Sequence, residues 1–268
     1  MVFLTCPIAF TPLTCRPGPD FSPTESHLKN KFAVAPFVAF FGGFGSCFVD
    51  GHPSEIRSSQ VIQEFIQNVS HAASGDPVPA IKACYAIGND PIYSGRYHHE
   101  DQTHSEVGSS DLETLFDWIE KESEGRPLVL VGQSHGGWTA MKAALHMKRH
   151  VEVLATADPI SVEECDATAF SASTLGYATF GFKPWPGCTR APLDLKPRFA
   201  EIRAKTGVWH NFYQTETSFL RSSAIPEATT NQHLTYTGWT MNPIRGHAYT
   251  ESDARVWSKV LDAARSLF

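Results

Sequence analysis

Apolar positions along this chain fall into blocks that change period in a regular order. Phe37-Val38-Ala39-Phe40-Phe41 is a continuous apolar run closed by Gly42-Gly43, which predicts a strand buried on both faces. Residues 54–73 carry Val61, Ile62, Phe65, Ile66 and Val69 at helical spacing. A second strand is predicted over 80–87. Ser110-x-x-Glu113 reads as a capping box that opens a helix with Leu112, Leu115, Phe116 and Ile119 on one face. Leu128–Val131 predicts a strand, 135–149 a helix and 151–157 another strand. Further on, 196–205 predicts a helix, and 208–214 and 233–240 predict strands. Thr250-x-x-Asp253 is expected to cap a last helix with Ala254, Trp257, Val260, Leu261, Ala264 and Leu267 facing inward.

Strands that alternate with helices predict an α/β fold: a doubly wound, mostly parallel sheet of five to six strands with helices on both faces. The rhythm breaks twice. Residues 1–35 hold five prolines and little periodicity, and are expected to wrap the surface irregularly. Residues 36–268 form one domain, within which 159–195 lacks a clear element. A connection of that length predicts a lid-like insertion.

Composition narrows the function. Of the 268 residues, 42% are hydrophobic and 19% charged, which suits a folded core and not a disordered chain. The net charge is −6 and there is no Lys/Arg run, so nucleic acid is not an expected partner. No apolar stretch reaches the roughly 18 residues of a membrane span. The first residues lack a basic segment and their apolar run is cut by Pro7, so no signal peptide is read. The location is left open between cytoplasmic and secreted without a leader. The six cysteines form no C-x-x-C pair and are expected to be buried thiols. In an oxidising compartment, Cys6–Cys15 or Cys165–Cys188 would be candidate bridges.

Chemistry enters at Gly132-Gln133-Ser134-His135-Gly136, a G-x-S-x-G run that follows an apolar strand and opens a helix. A serine at the tip of such a turn sits in strained φ/ψ, and the residues two away on either side approach too closely for side chains beyond hydrogen. An imidazole is also needed, and His247 lies between the predicted strand 233–240 and the last helix. His233 is a rival, placed at that strand's start, and His210 falls inside a strand. Asp158 follows the strand 151–157 and precedes Pro159, at the carboxyl edge where a carboxylate can orient an imidazole.

In these residues and their order the chain, over about 36–268, resembles the α/β-hydrolase superfamily, in particular lipase- and esterase-like serine hydrolases. The resemblance implies a Ser–acid–His triad and an oxyanion hole. Ser134 is then the nucleophile, His247 the base and Asp158 the acid. Glu216 is the second candidate acid, because most members of the family take it from the end of the next strand. One hole donor would be the backbone N–H of His135. The second would come from the loop after the early strand, at Gly43 or Phe44. The implied activity is carboxylic-ester hydrolysis through an acyl-enzyme, with no metal and no organic cofactor. A peptidase or amidase on the same fold and a non-catalytic binding protein are the alternatives.

Substrate preference is read from aromatics. Phe180, Phe182 and Trp185 crowd the insertion, and Trp138 lies just inside the helix after Ser134. They predict an apolar acyl site, a small-molecule or lipid ester as substrate, and a lid suited to contact with a membrane surface. The run Tyr97–Glu106 packs three histidines and three carboxylates into residues 98–106, but their spacing matches no metal site. It is expected to be a solvated loop near the mouth of the site.

Overall fold

The structure is a computed structural model that describes residues 34–44, 64–65, 67–69, 78–85, 97–101, 106–161, 188–217, 220–236 and 245–267. Its centre is one sheet. The strands are β1 (Phe37–Phe44), β2 (Ala80–Tyr85), β3 (Tyr97–Asp101), β4 (Glu106–Ser110), β5 (Leu128–Gln133), β6 (Val151–Ala157), β7 (Thr206–Tyr213) and β8 (Thr230–His233). They lie side by side as β4-β3-β2-β1-β5-β6-β7-β8. The six from β2 to β8 are parallel throughout, which is the sheet that the alternation predicts. The hairpin β3–β4 extends it to eight strands, with β3 antiparallel to both neighbours.

That hairpin takes up most of the run expected to be a solvated loop. Its residues are polar, so no apolar period announces a strand. At the margin of a sheet, backbone pairing alone can recruit such a segment. The expected strand 233–240 is instead β8, which is shorter and earlier. Its outermost position leaves alternate side chains in solvent.

Among the described residues the helices are α1 (Leu112–Glu122), α2 (His135–His146), α3 (Phe199–Lys205), α4 (Arg245–Tyr249) and α5 (Ala254–Arg265). Residues 64–65 and 67–69 are helical within the range 54–73. Two of the caps differ from expectation. Asp111, not Ser110, caps α1 by accepting the Thr114 N–H at 2.9 Å, because Ser110 is drawn into β4 opposite Tyr97. Asp253, not Thr250, caps α5, since residues 250–252 form a turn of 3₁₀ helix. Ala254 is exposed, and Val256 takes the inward position expected of it.

Period-2 alternation in the strands sorts the core into two layers. Phe37, Ala39, Phe41, Leu128, Leu130, Leu154 and Trp209 face α1, α2 and α3. Val38, Phe40, Val129, Val131, Val153, Ala155 and Phe212 face Phe65, Val69 and the Val256–Val260–Ala264 stripe of α5. Both faces are covered, which explains why β1 and β5 read as unbroken apolar runs. Because the strands are parallel, the carboxyl ends of β1, β5, β6 and β7 meet at one edge, where functional side chains can converge.

The N-terminal 1–33 and the middle of the expected insertion, 162–187, lie outside the described residues. Past the insertion, the backbone at Cys188 pairs with Leu220 in an isolated parallel β-bridge. Cys188 is disulfide-bonded and so is not the free buried thiol expected, and its candidate partner Cys165 lies outside the described residues. Among the described residues, no helix is long and apolar enough to cross a membrane.

Candidate active site

The β5–α2 turn is built as the motif demands. Ser134 has φ 58° and ψ −128°, a left-handed φ that costs a non-glycine residue about 1–3 kcal/mol. Tertiary contacts hold it there. Its N–H donates to Ala157 O at 2.9 Å, and its carbonyl accepts from Gly137 N at 3.0 Å and Ile160 N at 3.1 Å. The flanking glycines are a steric requirement. A Cβ on Gly132 would sit 2.0 Å from Gly136 O, and one on Gly136 would sit 2.0 Å from Phe41 O. Gly43, at the end of β1, is pressed against the same turn, where a Cβ would lie 2.8 Å from Ser134 Cβ. Phe44 follows as the last residue of β1.

His247 reaches Ser134 from α4. Its Nε2 lies 2.7 Å from Ser134 Oγ, and its Nδ1 lies 2.6 Å from Asp158 Oδ2. All three are buried. Asp158, one residue past β6, also adopts a left-handed φ of 47°, with its N–H bonded to Phe212 O at 2.7 Å. The three side chains therefore form one hydrogen-bonded line. Along it, Nε2 can take a proton from the hydroxyl while the carboxylate faces the charge that develops on the ring.

The other sequence candidates fall elsewhere. Glu216 is exposed, and its carboxylate accepts the Tyr236 N–H. His233 pairs with Thr215 Oγ1 at 2.9 Å and stacks on Tyr213. His210 is buried on β7 against Thr230 Oγ1 at 2.7 Å, and burial, assisted by the Lys259 charge, lowers its pKa to about 4.

His135 opens α2, so its backbone N–H belongs to the first turn of that helix. Its ring is turned inward and stacks on Trp138 with centroids 4.7 Å apart. Burial, then the Lys142 charge, lowers its pKa to about 3, so the ring is neutral in ordinary buffers. Trp138 itself is 2% exposed. It donates its ring N–H to Asp194 at 2.7 Å and carries Lys142 Nζ 4.2 Å above its face. Phe180, Phe182 and Trp185 lie outside the described residues.

Two glutamines escaped the sequence reading. Gln133, the variable residue before the serine, donates Nε2 to the His247 carbonyl at 3.2 Å and to Thr250 Oγ1 at 3.3 Å, tying α4 to the turn. Gln214, just past β7, donates Nε2 to Asp158 Oδ2 at 2.7 Å. Nothing in the sequence marks it, because the pairing of β6 with β7 is what sets it beside Asp158. Amides carry no motif of their own.

No family model matches the chain, and no curated protein matches it. Solved structures that resemble it at low similarity include the three that follow. Mouse α/β hydrolase domain-containing protein 10 has 11% identity and a TM-score of 0.43, over 87% of this chain and 90% of that one. A serine hydrolase from Xanthomonas campestris, described as lacking a lid, has 11% identity and a TM-score of 0.35, over 87% and 83%. An α/β-hydrolase superfamily protein from Enterococcus faecalis has 10% identity and a TM-score of 0.38, over 86% and 90%.

Proposed function

We propose that this chain, an α/β hydrolase in architecture, is a serine hydrolase that cleaves carboxylic esters with an apolar acyl group. The reading is carried by one observation: a single imidazole lies within hydrogen-bond distance of both a strained serine hydroxyl and a buried carboxylate. A surface serine needs no such partners, and a left-handed φ is retained only where the surroundings enforce it.

The mechanism follows from the geometry. Ser134 Oγ attacks the ester carbonyl carbon as its proton passes to His247 Nε2. The carbonyl oxygen becomes an oxyanion, stabilised by the His135 N–H at the start of α2 and by a donor from the Gly43–Phe44 end of β1. Each such donor typically contributes about 3–4 kcal/mol to the transition state. His247 returns the proton to the leaving alkoxide, which departs as an alcohol and leaves an acyl-Ser134 ester. Water then gives its proton to the same Nε2 and attacks the acyl carbon. Collapse releases the carboxylic acid and returns the proton to Oγ. Asp158 keeps the Nδ1–H tautomer and stabilises the imidazolium in both halves. Every proton is carried by the chain's own side chains. The apolar acyl preference rests on the aromatic content of Phe180, Phe182 and Trp185.

The test is hydrolysis of p-nitrophenyl acetate, butyrate, octanoate and palmitate by the intact protein, together with labelling by a fluorophosphonate. Ser134→Ala is expected to lose both turnover and labelling while keeping its circular-dichroism spectrum. Full residual turnover in that variant would overturn the assignment. Cleavage of anilides at rates comparable to esters would move the activity to an amidase.

A further inference from the structure

We infer that Gln214 is a positioning residue for Asp158: it aims the carboxylate at His247 and satisfies one of its oxygens without adding a charge. This deepens the proposed function and rests on the Ser134–His247–Asp158 reading.

Gln214 is fully buried one residue past β7, beside the strand end that carries Asp158. Its amide has one orientation that satisfies all its neighbours. Oε1 accepts the backbone N–H groups of Glu216 at 2.9 Å and Thr217 at 3.0 Å, and these can only donate. Nε2 therefore points the other way, to Asp158 Oδ2 at 2.7 Å, with Thr217 Oγ1 at 2.7 Å and the Leu220 carbonyl at 2.9 Å also in reach. The same Oδ2 accepts His247 Nδ1. The other oxygen, Oδ1, accepts the Ser222 N–H at 2.7 Å and the Gln214 N–H at 3.5 Å. Both ends of the carboxylate are thus held, with Oδ2 set against the imidazole.

Asp158 has no exposure to water, and a buried carboxylate without donors is strongly disfavoured. Among the described residues no lysine or arginine hydrogen-bonds it. The donors are two backbone N–H groups, the Gln214 amide and His247. An amide is suited to this task because it donates at every pH and adds no charge. A glutamate of the same shape would behave differently. Protonated, it could still donate to Oδ2. Ionised, it would set a second carboxylate against the first. Among the described residues, the titratable groups around the pair include His247 on α4, Glu216 two residues on, Arg221, which donates to the Thr215 carbonyl, and Tyr236. Tyr236 feels the Asp158 charge and is backed by Asp253 and Arg255.

The test compares wild type, Gln214→Glu and Gln214→Leu by kcat/KM for p-nitrophenyl butyrate across about pH 6 to 9, where a glutamate facing a carboxylate would lose its proton. Each value is taken as a ratio to wild type at the same pH. For Gln214→Leu the ratio is expected to be low, by roughly tenfold or more, and flat with pH. For Gln214→Glu it is expected to fall steeply as pH rises. Two flat ratios of equal size would overturn the proposal and leave Gln214 a packing residue. A second readout does not need activity. The low-field proton signal of His247 Nδ1–H, identified by its loss in His247→Gln, is expected to move upfield or vanish in Gln214→Leu. An unchanged signal in folded Gln214→Leu would also overturn the proposal, and this holds if Gln214→Glu does not fold. A wild type that neither turns over esters nor reacts with the fluorophosphonate would sink the hydrolase reading, while the proton signal would still judge Gln214.

Discussion

His247 Nδ1 and Asp158 Oδ2 lie 2.6 Å apart although 89 positions separate the two residues along the chain. Glu216, the rival acid, is far closer to His247 in sequence and spends its carboxylate on the Tyr236 N–H. Asp158→Asn is therefore expected to lower kcat by about three to four orders of magnitude, because the amide would favour the wrong imidazole tautomer. Glu216→Gln should stay within a few-fold of wild type. Steady-state kinetics on p-nitrophenyl butyrate decides between them, and the reverse ranking would transfer the acid to Glu216.

The serine turn should tolerate almost no added volume. Gly136→Ala places a methyl 2.0 Å from the Phe41 carbonyl oxygen, which is backbone of a central strand and has nowhere to go. Either α2 shifts or β1 does. A loss of about 4 kcal/mol or more is expected in urea unfolding, large enough to leave a marginal domain mostly unfolded. A variant as stable as wild type would mean that the turn is not held as described.

Acid should destabilise the fold through two buried histidines. Burial, then Lys142, holds His135 down at about 3, and burial, then Lys259, holds His210 at about 4. In the unfolded chain both titrate near the ordinary value of 6.5. Above about pH 6.5 both rings are neutral in both states, so neither adds a pH dependence there. As pH falls below that value the unfolded chain binds protons that the folded one refuses, and each ring can remove up to about 1.4 kcal/mol of stability per pH unit. Urea titrations at several pH values should show this slope, and His210→Gln should make it shallower. An unchanged slope would show that His210 protonates freely in the fold.

Much of the architecture was legible because burial leaves a pattern. β1 and β5 read as unbroken apolar runs since both faces of a parallel sheet are covered, and the Leu115–Phe116–Ile119 face of α1 could be read from its spacing. Segments whose position depends on backbone pairing escaped. β3 and β4 are polar, and their place at the margin comes from hydrogen bonds that any sequence can make. The caps moved for a related reason: once β4 claims Ser110, the next side chain able to accept an N–H is Asp111.

The site divides in the same way. Ser134 was readable from sequence because the glycines at 132 and 136 record a local steric demand, and such demands survive in the order of residues. Asp158 could be proposed at a strand end and His247 ahead of the last helix, but nothing along the chain says that their side chains touch. Parallel packing of β5 and β6, and the return of α4 over their carboxyl ends, decide that. Gln214 belongs wholly to the folded state. Its role exists only because an amide and a carboxylate from adjacent strand ends share one space closed to bulk solvent.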